Sequence, residues 1–515
     1  MTNQVSSPAG SDQPLEDRVN NRSQRPTSDS FKQFMASNWA VDTSQLPDAD
    51  PSASYAAARR TALSAAFPGE RLVIPAGPLK VRSNDTDYRF RPHSAFAHLT
   101  GLGVDHEPDA VLILEPTDDG AGDHGSNHAA TLYFAPMAGR DSSDFYLDSR
   151  SGEFWVGPRP TLSTMSARTG MPTESLEQLE LAITKNSGPQ AMGGIRIRLV
   201  RQVDLNVEAL VDTSRINTSQ DLEASDSLDN ELAEFVSELR LIKDDYEVEQ
   251  LRASVAATIN GFEDVVRNLD RAIAHERGER IVEGSFFARA RLEGNDLGYD
   301  TIAASGNNAT ILHWIRNNGA VNEGEVLLLD AGVEADSLYT ADITRSLPVS
   351  GTYTQVQRRV YEAVLDAADA AFAAVKPGLK FRDLHLIATR VLAERLSQWG
   401  ILPVSVEEAM SLEGQQHRRW MPHGTSHHLG LDVHDCAQAR AELYLDAELK
   451  EGMVFTIEPG LYFKKEDLAI PEEYRGIGVR IEDDILVTAT GAESLSAALP
   501  RTADDVEAWM AKLRG

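Results

Sequence analysis

The chain has 515 residues, 42% of them hydrophobic and 25% charged, and its net charge is −30. This length allows about two to four domains, and the composition excludes collagen-like, mucin-like and wholly disordered proteins. Because the negative charge repels phosphate groups, we expect neither nucleic acid nor a membrane as a partner.

Residues 1–50 are rich in serine, asparagine, glutamine and aspartate. We expect a polar, partly disordered leader whose end, near Phe31 to Trp39, docks on the rest of the protein. Its few large apolar residues do not form the core of a signal peptide or a membrane span. Cys436 is the single cysteine, so no intrachain disulfide can form. Both features predict a cytoplasmic location.

Residues 51–213 alternate short apolar runs with helix-like stretches such as 173–184. The apolar runs begin at Arg71, Ala110, Thr131 and Ile195. This alternation predicts an N-terminal α/β domain with a mostly covered sheet. The next stretch, 214–234, is polar and acidic, and we interpret it as a linker.

Residues 235–515 combine amphipathic helices with strand-like segments. Apolar residues step by three and four along 251–273, 356–371 and 381–391, which predicts three helices. Strands are predicted over 326–329, 341–347, 453–458 and 479–487. Because helices and strands do not alternate regularly, we expect an α+β catalytic domain.

Each of these four strand segments contains, or is followed directly by, a carboxylate where a buried strand favours an apolar residue. The four are Asp330, Asp342, Glu458 and Glu482. A single acid at a strand end is most often exposed, but four of them in one domain point to a shared site. Four of the 13 histidines, namely His423, His427, His428 and His434, lie close together in the same half of the chain.

Four convergent carboxylates would repel one another, and burying them would cost several kcal/mol each. Two divalent cations would balance their charge, and a ligand set of oxygens with one imidazole favours Mn²⁺ or Mg²⁺ over a tetrahedral zinc site. Two such ions can lower the pKa of a bridging water and polarise a carbonyl. A serine hydrolase is disfavoured because no nucleophile elbow surrounds Ser426, and Cys436 beside His434 does not make a dyad by adjacency alone.

These segments, in this order, resemble the pita-bread metallopeptidases, and most closely the Xaa-Pro aminopeptidases (aminopeptidase P). The resemblance rests on Leu-Asp-Ala-Gly, Ala-Asp-Ile-Thr-Arg, His-Gly-Thr-Ser-His, Ile-Glu-Pro-Gly and Arg-Ile-Glu-Asp-Asp. It implies a C-terminal pita-bread catalytic domain over 235–515, preceded by a smaller α/β N-terminal domain. The segment 83–101 resembles the amino-terminal domain of that family, which restricts access to the site and helps to form oligomers.

The resemblance also implies a dinuclear metal site, most simply filled by two Mn²⁺ ions. Asp342 and Glu482 would bridge the metals, Asp330 would complete one ion, and His427 with Glu458 would complete the other. Glu458 would accept the proton of the bridging water, and a metal-bridging hydroxide would attack the peptide bond. The family's further site residues map onto His313, His423, His434 and Arg480, whereas His428 has no assigned role.

The implied activity is release of the first residue from peptides whose second residue is proline, by a homo-oligomer, either a dimer or a tetramer. Prolidase, which cleaves Xaa-Pro dipeptides, is the main alternative because it shares both metals and the two-domain plan. Ser426 within His-Gly-Thr-Ser-His favours the aminopeptidase, since prolidases commonly carry glycine there. A non-catalytic pita-bread binding protein is a distant alternative, because uncompensated buried carboxylates are costly to retain without a metal.

Overall fold

The computed structural model describes residues 28–40, 45–84, 86–104, 108–117 and 121–515. Much of the leader predicted over 1–50 therefore lies outside the described residues. Its described end begins with a helix capped by Ser28, whose side chain accepts a hydrogen bond from the Phe31 amide. The Trp39 ring then packs edge-on against Phe145, with 5.4 Å between ring centroids. The leader thus docks on the following domain, as the sequence predicts.

The first domain contains helices α1 to α9 and strands β1 to β7. The helices are α1 Asp29–Ala36, α2 Ala53–Ala66, α3 Ser94–Thr100, α4 Asp144–Leu147, α5 Glu153–Val156, α6 Leu162–Thr169, α7 Leu179–Thr184, α8 Leu205–Asn217 and α9 Leu222–Glu238. The strands are β1 Arg71–Pro75, β2 Val81–Ser83, β3 Thr86–Asp87, β4 Val111–Pro116, β5 His128–Phe134, β6 Thr173–Ser175 and β7 Ile197–Leu199.

The second domain contains the remaining elements. The helices are α10 Asp245–Arg267, α11 Leu269–Ile273, α12 Gly278–Glu293, α13 Gln355–Ala374, α14 Phe381–Gln398, α15 Val406–Ala409 and α16 Ala503–Arg514. The strands are β8 Asp296–Leu297, β9 Ile302–Ser305, β10 Val326–Ala331, β11 Val333–Glu334, β12 Ile343–Pro348, β13 Val454–Ile457, β14 Gly460–Phe463, β15 Ile477–Arg480, β16 Asp483–Val487 and β17 Ala492–Ser494.

The sheet of the first domain has the order β6-β5-β4-β1-β7. Strand β1 pairs antiparallel with β4 and parallel with β7. Every residue of β1 is buried, because helices cover both faces and leave no solvent-facing side for polar residues. The expected α/β domain is therefore present, although residues 173–175 of the expected helix 173–184 form β6.

The second domain places two three-stranded sheets, β12-β10-β9 and β13-β16-β17, under long helices. Helix α10 begins with a capping box, in which the Asp244 side chain accepts from the Glu247 amide and the Glu247 side chain accepts from the Asp244 amide. Helix α13 begins in the same way at Thr354. The apolar stripes of α13 and α14 enter one continuous core with the strands. The expected α+β class is confirmed.

Two predicted elements are interrupted in the structure. The helix expected over 251–273 divides at Asn268 into α10 and α11. The strand expected over 479–487 divides into β15 and β16, because Glu482 leaves the first pairing and forms an isolated bridge with Thr344. Despite this break, the side chains of Arg480 and Glu482 both contact the Thr344 hydroxyl, at 3.1 and 2.6 Å.

The stretch 214–234, interpreted from sequence as a linker, is helical and packed on the first domain. Leu232 and Val236 of α9 enter the core of that domain. The buried Asp229 accepts two hydrogen bonds from Arg215 of α8, at 2.7 and 2.9 Å. The polar composition of this stretch suggested an exposed linker, but the helix buries an ion pair as well as apolar residues. The connection between the domains is instead the short segment 239–244.

No helix in the described ranges is both long enough and apolar enough to cross a bilayer.

Candidate active site

Antiparallel pairing brings two of the predicted acids together. Asp330 lies near the end of β10 and pairs with Thr344 of β12, and Asp342 immediately precedes β12. Gly332 lies between β10 and β11, opposite the segment that leads to Asp342, and an added Cβ there would lie 1.6 Å from the Ala341 carbonyl oxygen. Only glycine permits this close approach, so the glycine of the Leu-Asp-Ala-Gly motif is a backbone requirement.

The other two acids lie at the facing ends of β13 and β16. Glu458 follows β13 and Glu482 precedes β16, and these strands pair from Val454 to Ile457. The Thr344 hydroxyl donates to Glu482 Oε2 at 2.6 Å, which ties this sheet to the first. The four carboxylates thus converge where two sheets end.

His427 is fixed among these acids by backbone contacts. Its amide donates to Thr456 Oγ1 at 3.2 Å, and its ring Nδ1 donates to the His428 carbonyl at 3.3 Å. The other nitrogen, Nε2, therefore faces the acids, 3.3 Å from Asp342, 3.7 Å from Glu458 and 4.0 Å from Glu482. Donor atoms of Asp342, His427 and Glu482 lie within 4.8 Å of one another.

Arg480 and Tyr299 hold the remaining acid. Arg480 Nη2 and the Tyr299 hydroxyl both donate to Asp330, the latter at 2.6 Å. Tyr299 also lies 2.5 Å from Asp342. Among the described residues that line the cavity, Arg480 is the one permanent cation beside the four predicted acids and the exposed Asp300. The site therefore carries an excess of buried negative charge.

Burial shifts the pKa values of these groups strongly. Desolvation raises the pKa of Glu458 to about 7, and desolvation with repulsion from Asp342 raises that of Glu482 well above its usual range. Desolvation lowers the pKa of His427, but its hydrogen bond with Asp342 and the charge of Glu458 outweigh this effect and raise the pKa to about 9. As arranged, the acids favour bound positive charge, whether protons or metal ions.

The further predicted histidines surround the same space. His423 Nε2 accepts from the Tyr462 hydroxyl at 2.7 Å, and the same hydroxyl accepts from Arg480 Nη1 at 3.0 Å. The His434 ring lies edge-on to His427, with 4.4 Å between centroids. Desolvation lowers the pKa of His423 to about 3 and also lowers that of His434, so both rings are neutral at pH 7.

One cavity of about 630 Å³ contains all nine predicted site residues. They are Asp330, Asp342, His427, Glu458, Glu482, His313, His423, His434 and Arg480. Apolar side chains of Ile302, Leu312, Ile315 and Val433 also line it. The cavity therefore joins a polar, acidic floor to apolar wall residues. His428 is outside it, buried and stacked on Phe381 at 4.7 Å.

Some residues that shape the site are absent from the sequence-based set. Tyr299 and Tyr462 lie outside the acidic motifs, and only the tertiary structure connects them to Asp330 and His423. Glu279 of α12 is fully buried and accepts hydrogen bonds from four donors around the loop that carries His313: the Ser305 and Gly319 amides, the Asn308 side chain and Trp314 Nε1. An acid within a helix gives no sequence signal of this role.

Two family models match the chain. Residues 249–489 match metallopeptidase family M24, and residues 56–190 match the aminopeptidase P N-terminal domain. The two matches fall on either side of the connection at 239–244, and they agree with a catalytic domain preceded by a smaller α/β domain.

Individual proteins resemble the chain along nearly its whole length. It is 50% identical to Xaa-Pro aminopeptidase 1 of Streptomyces coelicolor over 510 residues, which cover 99% of this chain and 97% of the relative. It is 32% identical to Xaa-Pro aminopeptidase of Escherichia coli, with coverage of 87% and 95%. The structure of aminopeptidase P from Escherichia coli with the inhibitor Pro-Leu superposes with a TM-score of 0.76, at 29% identity, covering 90% of this chain and 100% of that one.

Proposed function

This chain belongs to the Xaa-Pro aminopeptidases of metallopeptidase family M24, and from that premise we propose that it releases the first residue of peptides whose second residue is proline. The chain is thus a metal-dependent hydrolase. The observation that carries the substrate proposal is the cavity in which four carboxylates, three of them buried, and His427 lie beside apolar residues. The inhibitor Pro-Leu in the Escherichia coli structure supports a site that accepts proline.

The donor set fits two divalent ions. Asp330, Asp342, Glu458 and Glu482 would hold them through carboxylate oxygens, and His427 through its ring nitrogen. Buried carboxylates in excess of the cations beside them, and donor atoms of three of these residues within 4.8 Å of one another, support this assignment. We propose Mn²⁺ as the ion, because oxygen donors with one imidazole suit it better than zinc.

The ions supply charge stabilisation and a water of lowered pKa when they are bound. The protein supplies the proton transfer. Glu458 faces the cavity, so its carboxylate is placed to act as a general base there. It would accept the proton of the attacking water and pass it to the proline nitrogen as the peptide bond breaks.

The cavity histidines and Arg480 would orient the substrate. His434 and His313 line the cavity, where a ring N–H can donate to the carbonyl oxygen as its charge grows. His423 holds the Tyr462 hydroxyl, and that hydroxyl also accepts from Arg480. These hydrogen bonds fix the side of the cavity next to Glu458, since His423 Nδ1 lies 3.6 Å from Glu458 Oε2.

The apolar wall residues would receive the proline ring. A bond to proline lacks an N–H and has a fixed φ, so its recognition needs shape more than hydrogen bonds. Leu312, Ile315 and Val433 offer such a surface within reach of the acids. Alanine in the same position would leave that surface unfilled and would present an unpaired N–H.

The test compares Xaa-Pro-Yaa tripeptides, Xaa-Pro dipeptides and Xaa-Ala-Yaa tripeptides in the presence of Mn²⁺, with the His427→Ala variant as the inactive control. We expect the highest kcat/KM for Xaa-Pro-Yaa and little cleavage of Xaa-Ala-Yaa. Efficient cleavage of dipeptides with none of tripeptides would assign the chain to the prolidases instead. Absence of any cleavage with both metals bound would favour a binding protein.

Two further properties are proposals of the same kind. The family resemblance suggests a dimer or tetramer, which light scattering of the purified protein would test. We also propose a cytoplasmic location, which is supported by a single cysteine, Cys436, that is fully buried and so protected from disulfide exchange.

A further inference from the structure

A second buried charge cluster lies beside the active site, outside the acidic cavity. The Asp435 carboxylate is 1% exposed and accepts hydrogen bonds from Arg240 Nε at 2.9 Å and from Lys243 Nζ at 3.3 Å. Both cations belong to the connection 239–244, and both are buried. The segment that joins the two domains is thus ion-paired directly to the residue after His434.

The backbone around Asp435 closes the loop that carries the site histidines. The Asp435 amide donates to the His428 carbonyl at 2.9 Å. That carbonyl also accepts from the His427 ring. Residues 428–434 are therefore a closed loop that begins beside a proposed metal ligand and returns with His434 set edge-on against it.

Two backbone features show that the loop is built around this ion pair. At Gly430, an added Cβ would lie 2.2 Å from Asp435 Oδ2 and 2.9 Å from Lys243 Nζ, so no side chain fits there. Cys436 adopts φ +60, a left-handed conformation that is unfavourable for a residue other than glycine, asparagine or aspartate. Its amide donates to Asp435 Oδ1 at 2.8 Å, which holds the turn.

Residues of the first domain form hydrogen bonds to the same loop. The Ser94 hydroxyl donates to Asp432 Oδ1 at 2.6 Å, and Arg91 Nη2 donates to the Leu431 carbonyl at 2.5 Å. Arg91 is in turn fixed by Glu334 of β11, at 2.6 Å. Contacts from the first domain, the connection and the catalytic domain thus meet on one short loop.

From these contacts we infer that Asp435 is a positioning residue. Paired with Arg240 and Lys243, it fixes the 428–434 loop and so determines the position of the His434 ring. The connection 239–244 and the first domain therefore help to position an active-site residue. The inference rests on the proposed function, because it needs a role for His434 in turnover. It assigns to the first domain a direct effect on kcat, separate from control of access.

A double-mutant cycle at saturating Mn²⁺ tests this inference. Because displacement of a reacting group by about 1 Å can cost ~10²-fold, we expect Asp435→Asn to lower kcat by about 10- to 100-fold with a smaller change in KM. In a His434→Ala background the same substitution should change kcat by less than about twofold, since its effect is transmitted through the absent ring. Equal losses in both backgrounds, or wild-type kcat in His434→Ala alone, would overturn the inference.

The matched control is Asp229→Asn in α9, which removes an equally buried carboxylate paired with two arginines, Arg201 and Arg215. It should lower Tm without lowering kcat. A comparable loss of kcat in this control would show that the effect of Asp435→Asn is general destabilisation, and the inference would fail.

A gentler variant serves if Asp435→Asn does not accumulate as folded protein. Ser94→Ala removes one hydrogen bond to the loop and leaves no buried charge unpaired. We expect a loss of about 2- to 5-fold in kcat, absent in the His434→Ala background. An unchanged kcat, or an equal loss in both backgrounds, would overturn the inference. An inactive wild-type enzyme with Xaa-Pro-Yaa would instead contradict the proposed function, so the two failures are distinguishable.

Discussion

Buried carboxylates of the two domains differ in what neutralises them. In the first domain, Asp229 is enclosed by Arg201 and Arg215, and Glu70 is paired with both Arg196 and Arg198. In the catalytic cavity, Asp330, Asp342, Glu458 and Glu482 have Arg480 as the one arginine or lysine among the described lining residues. Both domains bury acids, but Asp229 and Glu70 are each paired with two arginines, whereas the acids of the cavity outnumber the cations beside them.

A structural acid differs from a functional acid in the charge of the groups that surround it. Burial alone does not distinguish them, because Asp229 is as buried as Glu482, at 2% each. The distinction is the balance of charge around each group, since an uncompensated buried carboxylate destabilises a fold unless a cation binds. The deficit in the cavity is therefore the physical reason to expect metal ions there.

The largest expected effect is that of removing the metal. Chelation should reduce release of the first residue from Xaa-Pro-Yaa to background, and added Mn²⁺ should restore it, because a site built mostly from carboxylates exchanges its ions readily. Metal content is measured by mass spectrometry on the same samples. If protein verified to be free of metal kept full turnover, the cavity acids would not need metal ions for function, and their charge deficit would no longer distinguish them from Asp229 and Glu70.

Loss of a proposed ligand should act almost as strongly. Asp330→Ala and His427→Ala should each lower metal occupancy together with turnover, by more than the ~10- to 100-fold that is typical of residues behind the ligands. His423→Ala is the matched comparison, since it changes a cavity histidine outside the proposed ligand set. Retention of two ions by His427→Ala would withdraw its assignment as a ligand.

The histidines that are not ligands should affect the rate more than the metal. His434→Ala and His423→Ala should lower kcat by about 10²–10³-fold if each contributes to stabilisation of the oxyanion, while metal content stays near two ions per chain. Turnover and metal content measured together separate the two groups of residues. Wild-type turnover in His434→Ala would withdraw its catalytic role.

Sequence patterns predict much of the fold because the periodicity of apolar residues reports which face of an element is buried. The stripes along α13 and α14 and the apolar run of β10 correspond to observed elements. The same reasoning misread 214–234, because α9 combines a few apolar contacts with the buried Asp229 ion pair. A polar helix that packs through charge does not differ in periodicity from an exposed segment.

The site was accessible from sequence to the extent that its residues interrupt apolar strands. Asp330 and Glu458 follow such runs, and so they stand out. Glu279 and Asp435 do not, because their partners are distant in the chain: Asp435 meets Arg240 across 195 positions. The residues that bear the proposed chemistry have local signals, whereas the residues that hold them in place become visible only in three dimensions.

A smaller effect should appear in the pH dependence of metal binding. In the metal-free protein His427 has a pKa of about 9 and Glu458 one of about 7, so both bind protons that a metal must displace. Apparent affinity for Mn²⁺ should therefore rise as pH increases from about 6 to about 9, and should level off above that. Calorimetry in buffers of different ionisation enthalpy counts the protons released. An affinity independent of pH over this range would contradict the excess of negative charge.

The smallest expected effect on activity is that of Asp229→Asn, and it tests the other half of the comparison. Removing one member of a buried ion-pair network leaves Arg201 and Arg215 with Asp212 still shared between them but without the buried charge of Asp229, which should lower the free energy of unfolding by up to about 3–5 kcal/mol. The variant should keep its kcat and its metal, because Asp229 lies in the first domain and pairs with Arg201 and Arg215, away from the cavity. Urea denaturation and turnover of Xaa-Pro-Yaa on the same preparation measure both quantities. If Asp229→Asn lost metal or turnover while still folded, the two groups of acids would be coupled, and charge balance alone would no longer tell structural carboxylates from functional ones.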